Sequence, residues 1–100
     1  MIYMMTVWYP FNKAPEVAKK VLSFPKLPSY IKKWQIFAAA DGKKGIKGYN
    51  LIMTEGDSEA AAKFIAKSMQ PFTQDIEGYV WKLETVLGAR DAFEVLGMKQ

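Results

Sequence analysis

The stretch from Ala40 to Ile65, ADGKKGIKGYNLIMTEGDSEAAAKFI, constrains this chain more than any other. It spells a turn, a long strand and a capped amphipathic helix in succession. Asp41-Gly42 is a hairpin signal, because a tight turn needs a positive φ that glycine adopts at no steric cost, and Gly45 extends the loop. Residues 46–55 are mostly β-branched, aromatic or long and apolar, as a strand prefers. Gly56 then stops the strand, Asp57 supplies an N-cap, and Glu59 complements the positive end of the helix dipole. Ala61, Phe64, Ile65, Ser68 and Met69 recur at helical spacing and give one apolar stripe, while Glu59, Lys63 and Lys67 lie on the solvent side.

The remaining segments arrange themselves around that strand. Ile2–Tyr9 reads as a first strand with apolar residues on both faces: Ile2, Met4 and Trp8 on one, Tyr3, Met5, Val7 and Tyr9 on the other. Pro10 ends it. Pro15 suits the first turn of a helix whose stripe is Val17, Ala18, Val21 and Leu22. Pro25 and Pro28 forbid its continuation, and Phe24 and Leu27 predict that the following linker packs on the domain. Residues 31–40 form a second strand, Pro71 closes the second helix, residues 76–85 form a fourth strand, and 88–96 a short final helix ended by Gly97. The order β-α-β-β-α-β plus a helix predicts an α+β, ferredoxin-like subunit spanning residues 1–100 as one domain. Its four-stranded antiparallel sheet carries two helices on one face.

Composition excludes several chemistries. Half of the 100 residues are hydrophobic and 14% are aromatic, which argues against disorder. The chain has no cysteine and no histidine, so it lacks thiol chemistry, the commonest general base and the commonest metal ligand. Asp75/Glu77 and Asp91/Glu94 are the nearest approach to a metal site, and neither pair has a third ligand close in sequence. No metal or cofactor is expected. The first nine residues are too short to span a membrane and have neither a basic leader nor a small-residue cleavage site, so a cytoplasmic protein without membrane association is expected.

The net charge of +4 is unevenly spread. Residues 1–50 carry nine lysines against Glu16 and Asp41, giving +7, whereas residues 51–100 carry −3. The two halves attract, within one chain or between copies. Thirteen of the fourteen basic residues are lysine, poor in the forked donors that read phosphates and bases.

Two helices shelter one side of a sheet, yet every predicted strand carries large apolar groups on both parities. A second copy pairing sheet to sheet is the simplest cover. The run from IYMMTVWYP through DGKKGIKGYNLIMTEGDSEAAAKFI to IEGYVWKLETV resembles the dimeric α/β-barrel superfamily of small ferredoxin-like proteins, its shorter uncharacterised members above all. The resemblance implies a homodimer and a ligand held between sheet and helices or inside the barrel. Other members include monooxygenases, haem-degrading enzymes, isomerases and peroxidases, so membership alone assigns no reaction.

Candidate ligand-binding residues are Trp8, Trp34, Asn50, Tyr79 and Trp81. The four aromatics offer flat apolar walls, and they serve equally well as core or interface packing. Asn50 is a residue disfavoured in mid-strand. If Tyr49, Leu51 and Met53 pack on the helices, Asn50 points into the barrel. The leading expectation is a homodimeric module for a small apolar or aromatic ligand, with no catalytic residue identified. The alternative is a cofactor-independent monooxygenase or isomerase of the same superfamily. A third reading is RNA binding, because IYMMTV and KGYNLIM resemble the two strand motifs of an RNA-recognition motif and place Tyr3 and Tyr49 at stacking positions. Leu51 at a third stacking position weighs against it, and nucleic acid is not the expected partner.

Overall fold

The computed structural model describes residues 1–98. Strands β1 (Ile2–Tyr9), β2 (Ile31–Ala40), β3 (Ile46–Thr54) and β4 (Val80–Val86) form one antiparallel sheet in the order β2-β3-β1-β4. Helix α1 (Ala14–Leu22) connects β1 to β2, α2 (Ser58–Asp75) connects β3 to β4, and α3 (Ala89–Val95) follows β4. The fold is α+β and consistent with the ferredoxin-like plan read from the sequence. Among the described residues no helix is long and apolar enough to cross a membrane.

Register decides which side chains share a face. Tyr3 lies opposite Ile52, Met5 opposite Asn50 and Leu83, and Val7 opposite Gly48 and Trp81. These residues face the helices. Tyr3, Met5, Val7 and Ile52 join Ala61, Ile65, Met69 and Phe72 of α2 in one buried core, with Val17 as the contribution of α1. The α2 stripe thus follows its predicted spacing. Its N-terminus is capped as expected: the Asp57 carboxylate accepts the Glu59 and Ala60 N–H groups at 2.9 and 3.2 Å.

Several boundaries differ from the sequence reading, those of β4 and α3 at Val86, Ala89 and Val95 by one residue each. Helix α2 does not close at Pro71 but runs through it to Asp75. Proline removes one N–H and crowds the carbonyl four residues back, that of Lys67, and both residues lie on the exposed side where water can serve that carbonyl. Continuing the helix buries Phe72 and brings Ile76 to the core, each worth about 1.5–3 kcal/mol, which offsets a proline penalty of about 3 kcal/mol. Strand β4 accordingly begins at Val80 rather than Ile76. The Ile76 N–H still donates to the Phe72 carbonyl, and Asp75 and Glu77 do not share a strand face. Strand β3 ends at Thr54, one residue early.

The β2–β3 connection is a loop with a 3-10 turn at Gly42–Lys44. It is tied by the Asp41 N–H to the Gly45 carbonyl at 2.8 Å. Gly45 has φ +122°, and a Cβ there would lie 2.3 Å from the Tyr9 carbonyl oxygen. Only glycine permits this approach of the hairpin to the end of β1.

Helix α1 departs most from expectation. Of its predicted stripe only Val17 is buried; Ala18 and Val21 are exposed and Leu22 is 87% exposed. The helix stands off the sheet, and Phe24 and Leu27 of the following loop pack at the core margin beside it. The opposite charges of the two halves meet within the chain: Lys20 of α1 pairs with Asp75 of α2 at 2.6 Å, and Lys32 pairs with Glu55 at 3.4 Å.

Candidate functional site

The stand-off of α1 leaves a cavity of about 570 Å³ between that helix, the following loop and the β1–β3–β2 part of the sheet. Met5, Val7, Gly48 and Asn50 form its floor, and Val17 and Val21 form one wall. Gly48 keeps the floor low, since a Cβ there would sit 2.7 Å from a Val7 methyl. Both the volume and the apolar lining are those of small-molecule sites, which span about 300–1,000 Å³.

Five aromatic rings run around the cavity as a connected series. Trp34 meets Phe24 edge to face at 5.2 Å, Phe24 lies 6.4 Å from Phe72, Phe72 lies 5.2 Å from Tyr79, and Tyr79 stacks on Tyr9 at 5.8 Å with planes 7° apart. All five rings line the cavity. Contacts of this kind add to area burial and hold each ring in place.

Among the described residues Asn50 is the one carboxamide in the lining. It is 5% exposed and sits at the centre of β3, with Met5 opposite on one side and Ile36 on the other. The Trp34 indole N–H donates to Asn50 Oδ1 at 2.8 Å. An indole nitrogen can only donate, so this bond settles which end of the amide is oxygen. Nδ2 then faces β1 and donates to the Met5 carbonyl at a long 3.5 Å.

The parity is the reverse of that on which a barrel-facing Asn50 depends. Tyr49, Leu51 and Met53 occupy the open face, while Gly48, Asn50, Ile52 and Thr54 face the helices. The physical reason is the partner on the neighbouring strand. Trp34 lies on the helix-facing side of β2 and satisfies an amide whose burial would otherwise be costly.

Trp34, Asn50 and Tyr79 therefore share one cavity. Trp8 does not join them: it lies on the opposite, open face, where the Lys47 ammonium sits 5.6 Å from its ring and 5.2 Å from that of Tyr49. Trp81 faces the helices from edge strand β4 and packs against the core without lining the cavity. Tyr9, Phe24 and Phe72 belong to the site and escaped the sequence reading. Tyr9 carried a signal, its parity with Met5 and Val7. Phe72 extended the α2 stripe by three residues, but Pro71 concealed it.

Among the described residues no acidic or basic side chain lines the cavity. Its two phenols are held neutral. Burial pushes the Tyr79 hydroxyl well above the ordinary phenol value, reinforced by Tyr9, and burial raises Tyr9 itself. Among the described residues the Tyr79 hydroxyl has only the Met69 sulfur as a protein partner, at 3.8 Å. Neither phenol is poised for proton transfer near neutral pH. Among the described residues there is no cluster of three or more side chains fit to hold a metal ion.

The two tyrosines of the RNA reading do not share a surface. Tyr3 is 5% exposed on the helix side and donates its hydroxyl to the Ser58 carbonyl at 3.1 Å, whereas Tyr49 is on the open face. Stacking successive bases requires both rings on one exposed face. No protein-family model matches the chain, and no curated protein matches its sequence.

Proposed function

We propose that this protein is a homodimeric binding module of the dimeric α/β-barrel kind, taking a small apolar or aromatic molecule into the cavity between α1 and the sheet. The carrying observation is the cavity: some 570 Å³, with five connected aromatic rings in its lining and no charged residue there among the described residues. An apolar space of this size open to solvent gains free energy when an apolar ligand replaces its water. The Trp34 indole stands in the wall and reports occupancy. Titration with naphthalene, followed by the indole N–H resonance of Trp34, is expected to saturate at one site per chain; an unmoved resonance refutes the reading.

The second copy is proposed for the open sheet face. Phe37 is 54% exposed and Tyr49 38% exposed, and Met4, Leu51, Met53 and Trp8 continue the apolar band between them and β1. Lys33 and Gln35 on one edge strand, and Lys82 and Glu84 on the other, give that band a polar border, as dimer interfaces have. Light scattering at micromolar concentration is expected to give about twice the 11.3 kDa chain mass, and Tyr49→Glu is expected to halve it. A monomeric wild type removes the dimer.

A cofactor-independent monooxygenase or isomerase is the second reading, favoured by the meeting of Trp34, Asn50 and Tyr79 in one cavity. It requires turnover of a bound aromatic that Asn50→Leu abolishes; turnover that survives this change makes Asn50 structural.

A further inference from the structure

The cavity's polar groups among the described residues are few, the phenols of Tyr9 and Tyr79 in its wall and the Asn50 amide at its floor, and the amide is only partly used. Asn50 Oδ1 accepts from the Trp34 indole at 2.8 Å, which holds the amide plane and takes one of that oxygen's two lone pairs. Nδ2 carries two hydrogens. One reaches the Met5 carbonyl only at 3.5 Å, the outer limit of a hydrogen bond, and the other has no protein partner among the described residues. A donor that is 95% buried, oriented by its neighbour and left with spare capacity is a recognition group, because its hydrogen bond is made strongest when water is displaced. The rest of the lining sets the other half of the specificity. With no lysine, arginine or acid among the described residues that line the cavity, a charged ligand would lose its hydration without an opposing charge.

Resting on the binding reading above, we propose that the site selects neutral fused-ring aromatics bearing one hydrogen-bond acceptor, a ketone or an aldehyde, whose oxygen takes the free N–H of Asn50 while the rings lie against the Trp34–Phe24–Phe72–Tyr79 wall. Asn50 is thus the specificity residue, and Trp34 is a positioning residue that acts through it. Two classes are disfavoured for different reasons. A pure hydrocarbon leaves the amide hydrogen unpaired, and a carboxylate pays desolvation in an uncharged pocket.

Three probes of one ring size separate these terms: naphthalene, 2-acetylnaphthalene and 2-naphthoate, titrated calorimetrically into the wild-type protein near pH 7. The ketone is expected to bind roughly three- to tenfold more tightly than naphthalene, the worth of one buried neutral hydrogen bond, and the carboxylate at least roughly tenfold more weakly than the ketone. In nitrogen–proton correlation spectra one Asn50 side-chain amide proton should move downfield with the ketone, as a new hydrogen bond requires, beyond the ring-current shift that naphthalene alone produces. Asn50→Leu should bring ketone and hydrocarbon to equal affinity while retaining binding of both. Equal affinities in the wild type, an Asn50 amide that moves no further with the ketone than with naphthalene, or tight binding of the carboxylate overturns the assignment while leaving the cavity a ligand site. Failure of all three probes to bind overturns the cavity reading and this assignment together. The wild-type series decides the matter even if the Asn50 variant does not fold.

Discussion

Gly45→Ala tests whether the β2–β3 hairpin is docked on the end of β1, and the loop contains its own control. Gly42 and Gly45 both have positive φ, +58° and +122°. At Gly42 an added Cβ meets nothing within 4 Å, so Gly42→Ala costs only the left-handed backbone penalty, about 1–2 kcal/mol. Gly45 combines φ 122° with ψ −140°, a region that side chains avoid at a cost of about 1–3 kcal/mol. The new methyl would also stand 2.3 Å from the Tyr9 carbonyl oxygen, a backbone atom held in the ladder rather than a side chain able to swing away. Relieving that clash resembles overpacking of a core, about 1–3 kcal/mol more. Gly45→Ala is therefore expected to cost about 2–6 kcal/mol, a large share of the roughly 5–15 kcal/mol by which a domain is stable. Urea unfolding followed by tryptophan fluorescence measures both variants, and at about 1–3 kcal/mol per molar urea their midpoints should differ by about 1 M or more. The site is affected as well, since Tyr9 stacks on Tyr79 and lines the cavity. Equal destabilisation by the two substitutions would show that the hairpin is not seated on Tyr9, and the account of the cavity's β1 end would go with it.

Other expectations follow from burial, backbone and charge. Ile65→Ala removes a side chain with 0% exposure and should cost about 2–5 kcal/mol by chemical denaturation, whereas Leu22→Ala, at 87% exposure, should stay within about 0.5 kcal/mol; similar costs would deny that α1 stands off the sheet. Pro71→Ala restores an interior helical N–H and should raise stability by about 1–3 kcal/mol, measured the same way, and a loss would mean that α2 is not continuous there. Burial raises the folded pKa of Tyr79 above its unfolded value near 10.0, so the neutral phenol stabilises the fold below that pH and the contribution is lost as pH climbs beyond it. Tyr79→Phe should therefore flatten the alkaline decline by up to about 1.4 kcal/mol per pH unit relative to wild type, and parallel stability curves above pH 10 would refute the burial.

Much of the fold was legible because its signals are local. The Asp57 cap, the 3.6-residue stripe of α2, the β-rich run of β3 and the stop at Pro10 each act within a few residues, and each stands where expected. The misplaced boundaries have a common origin: a local rule outweighed by distant burial. Pro71 penalises a helix locally, but Phe72 and Ile76 beyond it belong to the core, and that core is assembled from β1, β3 and α2 together. The α1 stripe fails in the opposite direction. Val17, Ala18, Val21 and Leu22 have the spacing of a buried face, but Phe24 and Leu27 pack at the core margin beside α1, and the helix turns that stripe to a cavity instead. Helical periodicity shows that a face is apolar; it does not show what touches it.

The cavity lining was legible only in part, in Trp34, Asn50 and Tyr79, and the side to which Asn50 points was left open; Asn50 shows why. Strand alternation groups Asn50 with Gly48 and Ile52 from sequence alone, but which group faces the helices depends on partners in other strands. Treating the amide as the polar exception pushed it toward the barrel, where water or a ligand would satisfy it. The decisive residue was sixteen positions away in sequence: the Trp34 indole needs a buried acceptor as much as Asn50 needs a buried donor, and the β2–β3 register brings them to 2.8 Å. A polar pair that satisfies itself can lie under the helices at little cost, whereas either member alone would destabilise the core. Because the pairing takes one lone pair of the amide oxygen and leaves an amide hydrogen, the same bond that permits burial also gives the cavity floor a directional donor.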